Sequence, residues 1–325
     1  MKIESFPRKL FLFRNNLCMF AQTQNELHNM KHMSILAVSL LALVACTPEK
    51  KQEADYSQYV NPMIGTDFTG NTYPGAQVPF GMVQLSPDNG LPGWDRISGY
   101  FYPDTTIAGF SHTHLSGTGA GDLYDISFMP VTRPYKEAPA PLGIYSTFSH
   151  NDEAASAGYY RVLLKDYNIN VELTATERCG IQRYTFPEAE ASVFLNLKKA
   201  MNWDFTLDSK IEVVDSTTIR GYRLSQGWSP LQHVYFETRF SKPFVACHMD
   251  TTSIVTKEKG WIGTAYVARF DFNTKKDEEI LVTTGISGVS MEGAGKNLRA
   301  EAPKDDFDYY QAQASANWNL SLIHI

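Results

Sequence analysis

The sequence predicts an all-β protein, a large two-sheet antiparallel β-sandwich followed by the start of a linker helix. Apolar and polar residues alternate with period two in many segments, most clearly in 169–175 and 234–240, which is typical of half-buried strands. Glycine, proline, asparagine and aspartate interrupt these segments at short intervals, as turns do. Many antiparallel strands over about 250 residues favour a sandwich.

Further strands are predicted where the same alternation recurs, at 210–214, 218–224, 264–272 and 280–286. No helix of more than three turns is indicated before residue 304. We therefore assign residues 56–303 to one sandwich domain, which is long enough to bury a sizeable core.

The pattern changes at Lys304, where a helix is predicted over 304–319. Asp305 or Asp306 can cap its first turn, and the residues that then fall on one face are Phe307, Tyr310, Ala314 and Trp318. This segment is interpreted as a linker helix that leads into another domain.

Composition excludes one class of partner. The chain has 325 residues, 13% of them aromatic, and a net charge of -6. No basic patch is present, so nucleic acid is not expected as a partner. The aromatic content suits an all-β protein or a carbohydrate binder. Cys179 and Cys247 could form one bridge, but a domain of this size does not need it, and we favour free thiols.

The N-terminus has the pattern of a bacterial lipoprotein signal. Lys31 precedes an apolar run over 34–45 that is too short to span a bilayer, and Cys46 follows directly after small residues. We predict a signal at 30–46, acylation of Cys46, and a polar tether at 47–55. The chain would then be lipid-anchored to the bacterial outer membrane, in the periplasm or on the cell surface. The alternative is a core helix that ends in a buried cysteine.

Both ends of the sequence suggest additions to the natural protein. Signals of this kind start a few residues before the apolar run, so residues 1–29 are interpreted as an upstream extension from a mis-called start. The last six residues, 320–325, are what a common sequencing-library adapter would encode. We hypothesise that they are an adapter artefact, and the alternative is a natural C-terminal strand.

Three glycine-rich blocks stand out, at 59–88, 93–104 and 109–126. Glycine-rich loops let the backbone approach a ligand and hold polar groups in a fixed array. Their glycines do not open a helix after a strand, so a phosphate-binding loop is not indicated.

These blocks resemble the N-terminal domain of glycoside hydrolase family 92. Further similar blocks lie at 148–160, 226–228, 240–244 and 286–301. The resemblance implies an inverting, calcium-dependent exo-α-mannosidase that acts on mannose-containing glycans, N-glycans or mannans. Family members join an N-terminal β-sandwich to a C-terminal (α/α)6 barrel. That barrel, which supplies the catalytic acid, the base and the calcium ligands, is missing from this sequence, so no catalytic residue or metal ligand is assigned.

Four residues are candidates for substrate binding: Trp94, Asp67, His114 and Asp122. Trp94 lies in a glycine-rich turn where an aromatic face can meet a sugar ring, and the resemblance implies a tryptophan there near the leaving-group subsite. Three of them have a structural alternative: Trp94 a core or rim tryptophan, His114 a loop anchor to Asp122 or Asp125, and Asp122 a turn-closing carboxylate.

Other pairs of polar residues could indicate metal, acid–base or thiol chemistry, and each also has a structural interpretation. His112 and His114 would share one face of a strand and could bind a metal, but no carboxylate partner is evident in the motif. His150 and Glu153 are interpreted as inter-domain or loop-fixing groups, because nearness in sequence is not geometry. Cys247, beside a histidine, could indicate a cysteine hydrolase, but the alternation around it favours burial.

The leading hypothesis is therefore a truncated exo-α-mannosidase, α-1,2-directed, whose fragment is inactive without the missing barrel. One alternative is a glycan-binding surface lipoprotein without catalysis. Another is a structural lipoprotein, which would bury Trp94 and close the loops around it.

Overall fold

The computed structural model describes residues 54–139, 142–198, 202–250, 254–255, 263–264 and 267–324. The predicted signal, Cys46 and most of the tether lie outside the described residues. In the described part the strands, in chain order, are β1 (Ser86–Asp88), β2 (Thr106–Ile107), β3 (Gly109–Ser111), β4 (Ser127–Thr132), β5 (Glu137–Ala138), β6 (Gly143–Ile144), β7 (Ser146–Thr147), β8 (Glu153–Ser156), β9 (Tyr159–Leu164), β10 (Ile169–Ala175), β11 (Cys179–Phe186), β12 (Ala189–Asn196), β13 (Phe205–Val213), β14 (Thr218–Gln226), β15 (Gln232–Phe240), β16 (Ala246–Asp250), β17 (Ile254–Val255), β18 (Gly263–Thr264), β19 (Val267–Thr274) and β20 (Glu278–Ser287).

Two large antiparallel sheets hold most of these strands, which confirms the predicted all-β sandwich. One sheet has the order β1-β3-β4-β12-β19-β16, and the other has the order β13-β14-β15-β20-β11-β10-β9-β8. Three two-stranded pairs, β2–β7, β5–β6 and β17–β18, lie outside them. Neighbours in sheet order are often far apart in the chain, as in β11 beside β20.

The core lies between the two sheets, and strands such as β10 bury alternate side chains in it. In β10, Ile169, Val171 and Leu173 are fully buried, whereas Asn170 and Glu172 between them are only half-buried. Each such apolar side chain contributes about 1.5–3 kcal/mol on burial. Members of the same core from the six-stranded sheet include Phe128, Val193, Leu195, Phe270 and Phe272.

The predicted strands occur, with shifted ends. The segment 169–175 forms β10 as predicted, and 218–224 forms β14 with two more residues. The segment predicted at 264–272 instead contains the end of β18 and most of β19. Bounds shifted because alternation alone does not show where a partner strand ends.

The predicted linker helix is present as α2, after an unpredicted helix α1 (Met291–Glu301). Helix α2 spans Phe307–Ile323, so it continues into the segment that the adapter hypothesis covers. The Asp306 side chain caps it by accepting a hydrogen bond from the Tyr309 N–H at 3.0 Å, which confirms one of the two proposed caps. The buried face is Phe307, Tyr310 and Ala314.

Helix α1 packs closely on β20 because Gly285 of that strand has no side chain. A Cβ at Gly285 would lie 2.6 Å from the Ala294 carbonyl oxygen and 2.9 Å from the Leu298 backbone nitrogen. Gly293 and Gly295 lie inside the helix itself, and glycine lowers helix propensity. This is why no helix was predicted here. Among the residues described, neither helix is both long enough and apolar enough to span a membrane.

Candidate functional site

Two exposed tryptophans in the described part of the chain line one cleft, and a third lies beside it. Trp94, Trp203 and Trp228 are 58%, 44% and 81% exposed. The cleft has a volume of about 680 Å³, and it is lined by Thr118, Gly119, Ala120, Trp203, Gly227 and Trp228. Trp94 lies against the same loop, because a Cβ on Gly119 would be 3.3 Å from its Cη2 atom. Exposed indoles at a concave surface are typical of a ligand-binding site.

Trp94 is held by the backbone around it. It begins a 3₁₀ turn, Trp94–Arg96, after Gly93, whose φ of 155° a side chain would disfavour. The Gly93 N–H donates to Asn202 Oδ1 at 3.0 Å. The Arg96 side chain anchors the turn, because its Nε donates a hydrogen bond to Asp104 Oδ2 at 2.6 Å. The indole is therefore exposed on a fixed turn.

Trp228 is positioned by Asp122, one of the predicted site residues. The buried Asp122 Oδ2 accepts hydrogen bonds from the Trp228 N–H at 2.7 Å and the Ser229 N–H at 3.4 Å. Gln232 Nε2 donates to the same oxygen at 3.2 Å. A Cβ on Gly227 would lie 2.3 Å from Asp122 Oδ1, so this turn requires glycine.

Trp203 is positioned by a fully buried arginine. Asp204, the next residue, accepts from Arg223 Nη2 at 2.5 Å, and Asp125 Oδ1 accepts from Arg223 Nη1 at 2.6 Å. All three side chains are buried. Burial raises the pKa of Asp204 above its usual value, and Arg223 opposes that rise. Gln232 joins this network to Asp122, because its Nε2 is also 3.4 Å from Asp204 Oδ2.

None of the four predicted residues is among those that line the cleft, and two of them, His114 and Asp67, are held by contacts elsewhere. His114 is buried, with Nδ1 2.7 Å from the Gln84 carbonyl oxygen and Nε2 2.9 Å from Asp88 Oδ1. Its carboxylate partner is therefore Asp88, rather than Asp122 or Asp125. Asp67 accepts from the N–H of the next residue, Phe68, at 2.7 Å, and lines a separate shallow groove.

The paired polar groups hold loops, as predicted for His150 and Glu153. Glu153 accepts from Tyr160 at 2.6 Å and lies 2.7 Å from His150 Nδ1. Both cysteines that the structure describes are free thiols. Burial raises the pKa of Cys247, and burial raises the pKa of Cys179 to about 12, so neither has the character of a nucleophile.

The metal alternative for His112 has no support in the geometry. Its Nδ1 lies 2.7 Å from the Ile126 carbonyl oxygen, and its ring fills the space beside Gly180. Within the described ranges no group of three or more His, Cys, Asp or Glu side chains could hold a metal ion. The described residues therefore offer no carboxylate cluster for a calcium ion.

His112 makes stability depend on pH. Burial lowers its pKa to about 4, from an ordinary value of 6.5. Between these values the unfolded chain binds a proton that the folded chain does not, so the free energy of unfolding falls as the pH falls from 6.5 to 4. We expect this loss, up to about 1.4 kcal/mol per pH unit, to be smaller in His112→Asn. Urea unfolding across this range measures it, and parallel pH profiles for the two proteins would contradict it.

Sequence reasoning missed Trp203 and did not single out Trp228. The available signal was local: each tryptophan stands among turn-forming residues, in Asn-Trp-Asp and Gly-Trp-Ser, where a core tryptophan is unusual. That they share a cleft depends on three loops that meet only in the folded chain.

Comparison with known proteins gives matches over most of the chain. A model of the glycosyl hydrolase family 92 N-terminal domain matches residues 59–287. An uncharacterized secreted glycosidase of Arthroderma benhamiae is 26% identical over 172 residues, which are 50% of this chain and 21% of that protein.

Solved structures agree with these matches. A family GH92 α-mannosidase from Bacteroides thetaiotaomicron, in complex with mannoimidazole, is 37% identical with a TM-score of 0.75, over 82% of this chain and 37% of that one. An inverting GH92 mannosidase from the same organism is 26% identical with a TM-score of 0.69, over 84% of this chain and 36% of that one. The chain thus spans little more than a third of the length of these relatives.

Proposed function

Because this chain belongs to glycoside hydrolase family 92 and contains that family's N-terminal domain, we propose that it forms one wall of the active site of an exo-α-mannosidase. The observation that carries the proposal is the family match together with the exposed Trp94 in the matching region. The two related mannosidases, one of them solved with a mannose-like inhibitor, support mannose as the sugar.

The proposed substrate is a terminal mannose of an N-glycan or mannan, in α-1,2 linkage, hydrolysed with inversion. Inversion requires two carboxyl groups on opposite sides of the scissile bond, one to protonate the leaving oxygen and one to activate water. We propose that both, and the ligands of a calcium ion, lie in a C-terminal barrel outside this chain. The role left to this chain is to bind and orient the sugar, and alone it would be inactive.

Trp94 supplies the binding surface in this proposal. Its exposed indole gives an apolar face on which the C–H side of a pyranose can pack, and the fixed turn lowers the entropic cost of binding. A purely structural lipoprotein, with Trp94 buried, is not favoured by its 58% exposure.

The proposed location is outside the cytoplasm, on a lipid anchor at Cys46. The support is the signal pattern at 30–46 and a related glycosidase described as secreted. Metabolic labelling with a fatty-acid analogue tests the anchor, since Cys46→Ser would remove the label if Cys46 is acylated.

The experiment that tests the function compares this chain with the product of the full-length gene. We expect release of mannose from α-1,2-mannobiose by the full-length protein, loss of release on chelation of calcium, and no release by this chain. Trp94→Ala in the full-length protein should slow release, and Phe80→Ala, which removes an exposed aromatic elsewhere, is the control. A full-length product that binds mannosides but is inert on all of them would instead support the glycan-binding lipoprotein.

A further inference from the structure

The cleft lined by Trp203 and Trp228 is a separate concave surface, because Trp94 is not among the residues that line it. It is lined by Thr118, Gly119 and Ala120 from one loop, by Trp203 from a second, and by Gly227 and Trp228 from a third. Its volume of about 680 Å³ is within the range of small-molecule sites. A cleft of this volume can hold more than one sugar ring.

The three loops that form this cleft approach one another closely at two glycines. A Cβ on Gly121 would lie 2.6 Å from Asn202 Cβ, and a Cβ on Gly227 would lie 2.3 Å from Asp122 Oδ1. The loops approach this closely because both residues lack a side chain. Two glycines therefore bring the wall at Gly119 against the segments that carry Trp203 and Trp228.

Buried charge fixes the same segments. Asp122 accepts from the Trp228 N–H, and Asp204, directly after Trp203, is paired with Arg223. Burying a carboxylate is costly unless it is paired or hydrogen-bonded. Here that cost is offset by hydrogen bonds that fix the backbone of Trp228 and the side chain directly after Trp203. An indole that is 81% exposed gains little stability from folding, so its placement on a fixed backbone favours a role in binding.

We infer that the Trp203–Trp228 cleft is a second carbohydrate subsite, which binds a sugar ring of the glycan other than the one at Trp94. Two tryptophans that line one cleft offer flat apolar faces to the C–H sides of pyranose rings. A preorganised pair binds without paying for loop ordering. The identity of the sugar as mannose rests on the proposed function, whereas the existence of the cleft does not.

The test uses this chain labelled with 5-fluorotryptophan, titrated with an α-1,2-linked mannotetraose and separately with maltotetraose. We expect the fluorine signals of Trp203 and Trp228, assigned by single substitutions, to shift with the mannotetraose. Trp318, whose Nε1 donates to the Gln77 carbonyl oxygen at 2.6 Å, should not respond. Calorimetry should show affinity reduced at least about tenfold in Trp228→Ala, and unchanged in Phe80→Ala.

If only the Trp94 signal moves, if no oligosaccharide moves the Trp203 and Trp228 signals, or if Trp228→Ala binds like the unsubstituted chain, the second subsite is wrong. The mannosidase proposal would survive that result if the full-length protein still releases mannose. Shifts of Trp203 and Trp228 with maltotetraose but not with the mannoside would support the subsite and count against mannose as the sugar.

Discussion

Arg223→Met is expected to destabilise the chain by about 3–5 kcal/mol, because it leaves two buried carboxylates without their cation. Arg223 is fully buried on β14, 2.6 Å from Asp125 and 2.5 Å from Asp204. Methionine fills much of the same space, so lost packing contributes little. The melting temperature should fall by roughly 6–20 °C, measured by thermal unfolding followed by circular dichroism.

The matched control lies three residues away on the same strand. Arg220 pairs with Glu212 at 2.7 Å, but both side chains are partly exposed to solvent. Arg220→Met should cost about 0–1 kcal/mol, as surface ion pairs do. Equal losses in the two variants would show that the buried network does not hold these loops. The deficit of Arg223→Met should also shrink at low pH, because burial raises the pKa of Asp204 and protonation removes the orphaned charge there.

Asp122→Ala is expected to cost about 1–3 kcal/mol, because it removes the buried carboxylate that accepts from three part-buried donors. Those donors are the Trp228 N–H, the Ser229 N–H and Gln232 Nε2. The second expected result is a mobile Trp228, seen as a lower fluorescence anisotropy of its indole. Urea unfolding measures the stability.

Asp67→Ala is the control for Asp122→Ala, since the sequence makes both Asp67 and Asp122 candidate site residues. Asp67 is only half-buried and accepts from the adjacent Phe68 N–H, so its loss should cost less than about 1 kcal/mol. If Asp122 acted by touching sugar alone, Asp122→Ala would leave stability and Trp228 mobility unchanged.

Much of the candidate site could not be predicted from the sequence. Trp94 was found because a glycine-rich turn and a family resemblance pointed to one short block. His114 and Asp122 were found as polar residues in glycine-rich loops, but their partners, Asp88 for one and the Trp228 backbone for the other, lie 26 and 106 residues away. Local pattern carries no information on contacts at that separation.

The sequence by itself determined the fold class, the family and the cap of helix α2. Alternation with period two marks strands, and a side-chain cap needs only residues within one turn, as in Asp306 and Tyr309. Only the tertiary structure decided which strands are neighbours, where helix α1 forms against Gly285, and that Trp203 and Trp228 share a cleft. The physical reason is that these features depend on close approach between distant segments, which glycines permit and buried ion pairs fix in place.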